Sequence, residues 1–176
     1  MSEKFGCYII KQELGDGGYD CAFLAIKEGE ELKEGKKRYY VLKFPLEQIG
    51  DDDKLDFNNE IDTLIKLTKL SDNEYTPKIY DFKKFNLEGE DGENEIKVLD
   101  DEEDNETPYY VIDYFSKGIL EYYIENNPFE EKTAKLIFKN IALGVQFLHN
   151  HNICHLDLKP NNTIKLLILN LLTLDF

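Results

Sequence analysis

The chain has 176 residues and a net charge of −15 at pH 7, from 21 Lys and Arg against 36 Asp and Glu. So acidic a surface repels nucleic acid and anionic lipid over most of its area, which excludes both as expected partners. With 41% hydrophobic and 12% aromatic residues, the composition is that of a chain with a buried core, not of a disordered one.

Residues 1–7 read as an N-terminal tail, and Met1–Gly6 carries charges where a secretory signal needs an apolar run. Tyr8–Leu14 and Cys21–Lys27 are β-prone runs flanking Gly15-Asp16-Gly17-Gly18, which predicts strand, glycine turn, strand. Glu28–Lys37 is charged and Gly-bearing, hence a loop. Arg38–Phe44 alternates, with Tyr39, Val41 and Lys43 on one face and Tyr40, Leu42 and Phe44 on the other, and Pro45 discourages further strand. Asp51–Asp53 places acids at the positive end of a helix, and Phe57, Ile61, Leu64, Ile65 and Thr68 follow at helical spacing.

Pro77–Phe85 reads as another strand. Residues 86–108 are dominated by Asp and Glu, with Gly89 and Gly92, and read as a mobile acidic insertion. Tyr109–Phe115 is an aromatic and β-branched strand, and Leu120–Ile124 is helical. From Pro128 the pattern is strongly helical. Ala134, Ile137, Phe138, Ile141, Val145 and Leu148 form an apolar stripe that Asn150–Asn152 ends. The longest apolar stretch, Ile164–Leu174, is interrupted by Lys165 and Asn170 and is too short to span a bilayer as a helix, so no membrane is expected. Cys7, Cys21 and Cys154 contain no Cys-x-x-Cys pair. Zinc is therefore not expected, and the compartment reads as reducing and cytoplasmic. A strand-rich first part with one helix, followed by a helical second part, predicts an α+β fold of two lobes joined near Phe115–Gly118.

The segment His155-Leu156-Asp157-Leu158-Lys159-Pro160-Asn161-Asn162 follows the long helix. It resembles the catalytic loop of protein kinases, His-Arg-Asp-Leu-Lys-Pro-x-Asn, with Leu156 where Arg is usual. Asp175-Phe176 is similar to the start of the family's Asp-Phe-Gly element and follows the loop at the family's spacing. Leu14-Gly15-Asp16-Gly17-Gly18-Tyr19-Asp20-Cys21-Ala22 is similar to the glycine-rich loop, with Asp20 in place of the third Gly and Ala22 in place of Val. Tyr40-Val41-Leu42-Lys43 resembles Val-Ala-Ile-Lys, and Glu60 is the helix acid beside the apolar stripe. Tyr109–Phe115 looks like the strand and hinge that take adenine.

The resemblance covers Tyr8 to Phe176 and implies a kinase-like two-lobe fold: a nucleotide lobe over 8–115, with the 86–108 insertion, and hinge plus catalytic loop over 116–176. It implies ATP and magnesium as cofactors and a protein as acceptor. Asp157 orients the substrate hydroxyl, Lys159 balances phosphoryl charge, and Asn162 and Asp175 hold the metal. Lys43 meets the phosphates and pairs with Glu60. Gly15 and Gly17 cradle the phosphates. Leu14, Ala22, Val41 and Ile164 sandwich the adenine, Ile112 is the gatekeeper, and Asp113 and Phe115 offer backbone groups to the base. Leu158-Lys159-Pro160 after Asp157 resembles the serine/threonine class.

Leu156 removes the Arg that pairs with a phosphorylated activation loop, so regulation independent of that switch is expected. With nothing after Phe176, the chain reads as a fragment of a kinase or a truncated product. Two other readings stand beside the protein kinase: a pseudokinase-like scaffold, favoured by Asp20, and a small-molecule kinase of the same broad fold. The charge of 86–108 makes basic peptides candidate partners.

Overall fold

The computed structural model describes residues 3–16, 20–30, 37–46, 48–87, 107–116, 118–126 and 129–163. It divides into two compact units. One comprises Met1–Lys69 and Lys78–Tyr114, the other Leu70–Pro77 and Phe115–Phe176.

The first unit is built on a six-stranded sheet. Its strands are β1 (Lys4–Phe5), β2 (Tyr8–Asp16), β3 (Asp20–Lys27), β4 (Tyr39–Pro45), β5 (Ile79–Lys83) and β6 (Tyr109–Asp113). The order is β1-β2-β3-β4-β6-β5, with every neighbouring pair antiparallel. Residues 4–5 are therefore sheet and not tail. Gly6, at φ +53°, turns the chain back so that Lys4 faces Ile9, and the Phe5 ring meets Phe44 and Tyr109 edge-on at 4.8 and 5.0 Å.

The alternation of β4 sorts the core into two faces, as the period of a strand requires. Tyr40 and Leu42 join Tyr8, Ala25 and Val111 in one buried cluster. Val41 faces the other way, into a cluster of Phe57, Ile61, Leu64, Tyr110 and Ile112. That second cluster contains the inner face of helix α1 (Asp51–Thr68). Three acids in the first turn of α1 sit at the positive end of its dipole, and Asp53 accepts a hydrogen bond from Gly50 N–H at 3.1 Å.

Strand β5 is shorter than its β-prone run. Lys78 N–H is taken by Asp113 Oδ2 at 2.9 Å and Ile79 N–H by Thr68 Oγ1 at 2.9 Å, so side chains satisfy the groups that a longer ladder would use. Leu70–Pro77, which chain order groups with the first lobe, belongs to the second unit, where Tyr75 lies against Phe147 at 5.2 Å between ring centroids. Phe147 is buried and Tyr75 half-buried, and their ring contact holds the segment to the helix that carries Phe147.

The second unit holds α2 (Leu120–Asn126), α3 (Glu131–Asn150) and a 3-10 turn at Pro160–Asn162. Leu120 and Ile137 are buried together with Phe129 and Ile141 packed on them. Phe138, part of the apolar stripe, is 71% exposed, while Phe147 is buried instead. Helix α3 ends in a Schellman motif. Ile153 N–H reaches Leu148 C=O at 3.0 Å, Asn152 N–H reaches His149 C=O at 3.0 Å, and Asn152 takes the left-handed φ of 58°. Among the described residues, no helix is long and apolar enough to cross a membrane.

Candidate active site

In the first unit, the cross-strand register aligns Gly15, Ala22, Lys43 and Tyr110 in a single row over β2, β3, β4 and β6. Residues in such a row share a face. Gly15 has φ +143° and open space where a Cβ would stand, so backbone conformation and not crowding calls for glycine there. Asp20 lies two residues before Ala22, hence on the same face and diagonal to Lys43.

Asp20 takes the lysine. Lys43 Nζ lies 2.6 Å from Asp20 Oδ2, each side chain 23% exposed, and the ammonium stands 5.5 Å from the centre of the Tyr110 ring. Among the described residues, no ion pair joins Lys43 to Glu60, which is exposed on α1. The Asp20–Lys43 contact follows from register: two residues on adjacent paired strands are held together by the sheet, whereas Glu60 stands on a separate helix. Among the described residues, the buried hydroxyl of Tyr110 has no partner at hydrogen-bonding geometry. Burial, then the nearby Glu60 carboxylate, then Asp20 push its pKa well above the ordinary tyrosine value.

Asp113, at the end of β6, is held by its side chain. Oδ1 accepts from Arg38 Nη2 at 3.1 Å and from Tyr80 Oη at 2.6 Å, and its own N–H donates to Lys78 C=O at 3.2 Å. Arg38 also donates to Tyr80 Oη and lies over the Tyr80 and Tyr40 rings at 4.6 and 5.4 Å. Sequence reasoning missed this cluster, since its members are far apart in the chain and polar by type alone. Val41 is half-buried beside Ile112, its cross-strand partner, while Leu14 is 41% exposed.

The second unit carries the loop after α3. Asp157 N–H closes onto His155 C=O at 2.7 Å across Leu156, which takes φ +59° and is 94% exposed. A leucine in that region is strained by about 1–2 kcal/mol. The Asp157 carboxylate is gripped at Oδ2 by Lys159 Nζ at 2.9 Å and Asn162 Nδ2 at 2.6 Å. The Lys159 hydrogen bond, aided by the charges of Lys159 and His155 and by the Asn162 bond, lowers its pKa below the usual carboxylate range, so Asp157 is ionised at neutral pH. Asn162 Nδ2 also donates to Asp157 C=O at 3.2 Å. Thr163 anchors the loop from below. It is buried, its Oγ1 donates to Lys159 C=O at 2.9 Å, and its C=O accepts from Leu120 N–H at 2.9 Å. Phe115, also in this unit, accepts at its C=O from Gly118 N–H at 3.1 Å.

Gly17, Ile164 and Asp175 lie outside the described residues. Among the described residues no group of three or more His, Cys, Asp or Glu is placed to hold a metal ion. Asn162 nonetheless suits magnesium: with Nδ2 committed to Asp157, the amide oxygen Oδ1 is the atom left to act as a neutral oxygen ligand.

The fold and the sequence have counterparts in known proteins. The fold is similar to that in the crystal structure of Rad53 1-466 in complex with AMP-PNP, with a TM-score of 0.60 at 21% identity, over 89% of this chain and 34% of that one. The model of the protein kinase domain family matches residues 8–170, and the chain belongs to that family. It is 30% identical to the mitosis inhibitor protein kinase SWE1 of Candida albicans over 168 residues, 92% of this chain and 13% of that protein. The serine/threonine-protein kinase ULK3 of Rattus norvegicus is 34% identical over 70 residues, 39% of this chain and 15% of that protein. Myosin light chain kinase A of Dictyostelium discoideum is 26% identical over 93% of this chain and 46% of its own length. The chain thus spans less than half the length of each of these curated relatives.

Proposed function

We propose that this chain forms the nucleotide-binding and catalytic-loop portion of an ATP-dependent protein kinase acting on serine and threonine hydroxyls. The observation that carries the reading is the ionised Asp157 carboxylate held by Lys159 and Asn162. A carboxylate so held can orient the acceptor hydroxyl and take its proton as the oxygen attacks the γ-phosphorus. Lys159, within reach of Asp157, can also offset charge on the transferring phosphoryl group. Catalysis of this kind is mostly positioning and electrostatics.

On this reading the first unit is the nucleotide lobe and the second begins the catalytic lobe. Gly15 and Gly17 approach the phosphates and Lys43 binds them, with Glu60 as a second carboxylate for its ammonium. Leu14, Ala22, Val41 and Ile164 flank the adenine, and Asp113 and Phe115 present backbone to it. Asn162 and Asp175 would hold magnesium, which neutralises phosphate charge when bound. The free thiols of Cys7, Cys21 and Cys154 support a cytoplasmic setting. Basic peptides are proposed as partners of residues 86–108, on charge alone.

The test pairs magnesium-ATP calorimetry with transfer of labelled phosphate to a serine/threonine peptide library. Asp157→Asn should leave nucleotide binding in place and cut transfer by about 10²–10⁴-fold. Transfer that survives Asp157→Asn intact would reject the assignment. The second reading, a nucleotide-poor scaffold, is favoured by the occupation of Lys43 by Asp20. A folded chain that binds no ATP at millimolar concentration would support it.

A further inference from the structure

The ammonium of Lys43 already has a carboxylate partner, supplied by the first residue of β3. We infer that Asp20 is an affinity-determining residue that competes with nucleotide phosphate for Lys43, so that this site discriminates against phosphorylated ligands until the Asp20–Lys43 pair opens. The inference rests on the proposed nucleotide site and deepens it.

Three observations support it. The pair is short, at 2.6 Å, and shielded, with both side chains 23% exposed. It is set by the register that puts Asp20, Ala22 and Lys43 on one face, so it needs no rearrangement to form. A second carboxylate, Glu60, is close enough to Tyr110 to perturb its phenol, and Lys43 stands over that same ring at 5.5 Å. A swing of the lysine side chain over Tyr110 would trade one carboxylate for the other. An ammonium shared between Asp20 and a polyphosphate is unfavourable, because the two anions repel each other. Adenosine carries no phosphate and does not meet this competition.

The experiment is calorimetry on the full 176-residue chain with magnesium-ADP and, separately, adenosine. The variants are Asp20→Asn, Asp20→Gly, Lys43→Ala and Asp20→Asn with Lys43→Ala, each checked for a native melting transition. Asp20→Asn should tighten ADP about tenfold, the equivalent of losing one partly shielded ion pair, and leave adenosine unchanged. The gain should vanish in the Lys43→Ala background, because Asp20 acts through Lys43. Equal ADP binding by parent and both Asp20 variants would overturn the inference and leave the nucleotide site standing. A gain that persists without Lys43 would overturn it in favour of direct repulsion. Absence of both ADP and adenosine binding in every folded variant would overturn the nucleotide site and the inference together.

Discussion

Asn58 and Phe85 exchange two hydrogen bonds: Asn58 Nδ2 donates to Phe85 C=O at 3.0 Å, and Phe85 N–H donates to Asn58 Oδ1 at 2.9 Å. Asn58 is 5% exposed, in the middle of α1, and the bonds clip the chain after β5 to that helix. A lone polar residue inside a helix's buried face is satisfied here by main chain in just this way. Asn58→Ala should lower stability by about 1–2 kcal/mol, since both main-chain groups of Phe85 lose their partner at once. Asn58→Asp, which keeps the acceptor but sets a buried carboxylate oxygen against Phe85 C=O, should lower stability at least as much. Chemical denaturation of the three chains gives the ordering, and an Asn58→Ala chain as stable as the parent would show that water replaces the clip.

Tyr110 offers the opposite case. Its side chain is fully buried and, among the described residues, its hydroxyl lacks a partner at hydrogen-bonding geometry. Tyr110→Phe removes the orphaned group while keeping the ring that packs on Phe57 at 5.3 Å. Stability should rise by about 1 kcal/mol. A fall in melting temperature would mean that the hydroxyl is bound to Glu60 in solution.

Alkali should unfold the first unit through its tyrosines. Burial, with the Tyr40 Oη bond to Glu30 at 2.6 Å, pushes the Tyr40 phenol up to about 12. Burial likewise raises Tyr8, Tyr80 and Tyr109. A folded pKa above the unfolded value of 10.0 means the stabilisation is complete below pH 10 and is lost as pH rises through about 12. Glu30→Gln should lower the Tyr40 midpoint but leave it above 10.0, because burial is the larger cause. The phenolate absorbance band, followed during titration, reads this directly.

Asp157 predicts the acid side. Its lowered pKa comes first from the Lys159 hydrogen bond. Any stabilisation that it provides is present above its unfolded value of 3.8 and lost as pH falls through the lower folded one. In carboxyl carbon-13 spectra, Lys159→Ala should move the Asp157 midpoint upward, and Asn162→Ala should move it by less. An unchanged midpoint in Lys159→Ala would show that the pair does not persist in solution.

Most elements were legible because their signals are local. The alternation of Tyr39–Phe44, the helical spacing of Phe57, Ile61 and Leu64, and the asparagines at the end of α3 each report their own neighbourhood. The kinase motifs were legible because they are contiguous. What could not be read depends on pairing between distant segments. That Lys43 meets Asp20 and not Glu60 is decided by the β3–β4 register, where Ala22 faces Lys43. The Asp113 cluster joins Arg38, Lys78 and Tyr80 over separations that composition does not reveal. Phe138 belongs to the helical period of α3 yet faces solvent, since periodicity locates a stripe but not its edges.

Because Leu70–Pro77 belongs to the second unit, the backbone passes from one unit to the other three times, after Lys69, Pro77 and Tyr114. Neither unit is a continuous stretch of gene. A single recombination breakpoint therefore cannot exchange one unit for that of a relative: cutting at residue 114 would graft a new Phe147 environment while leaving the old Tyr75 to meet it. Chimeras of this chain need three junctions, or a Tyr75 segment chosen to match the incoming helix.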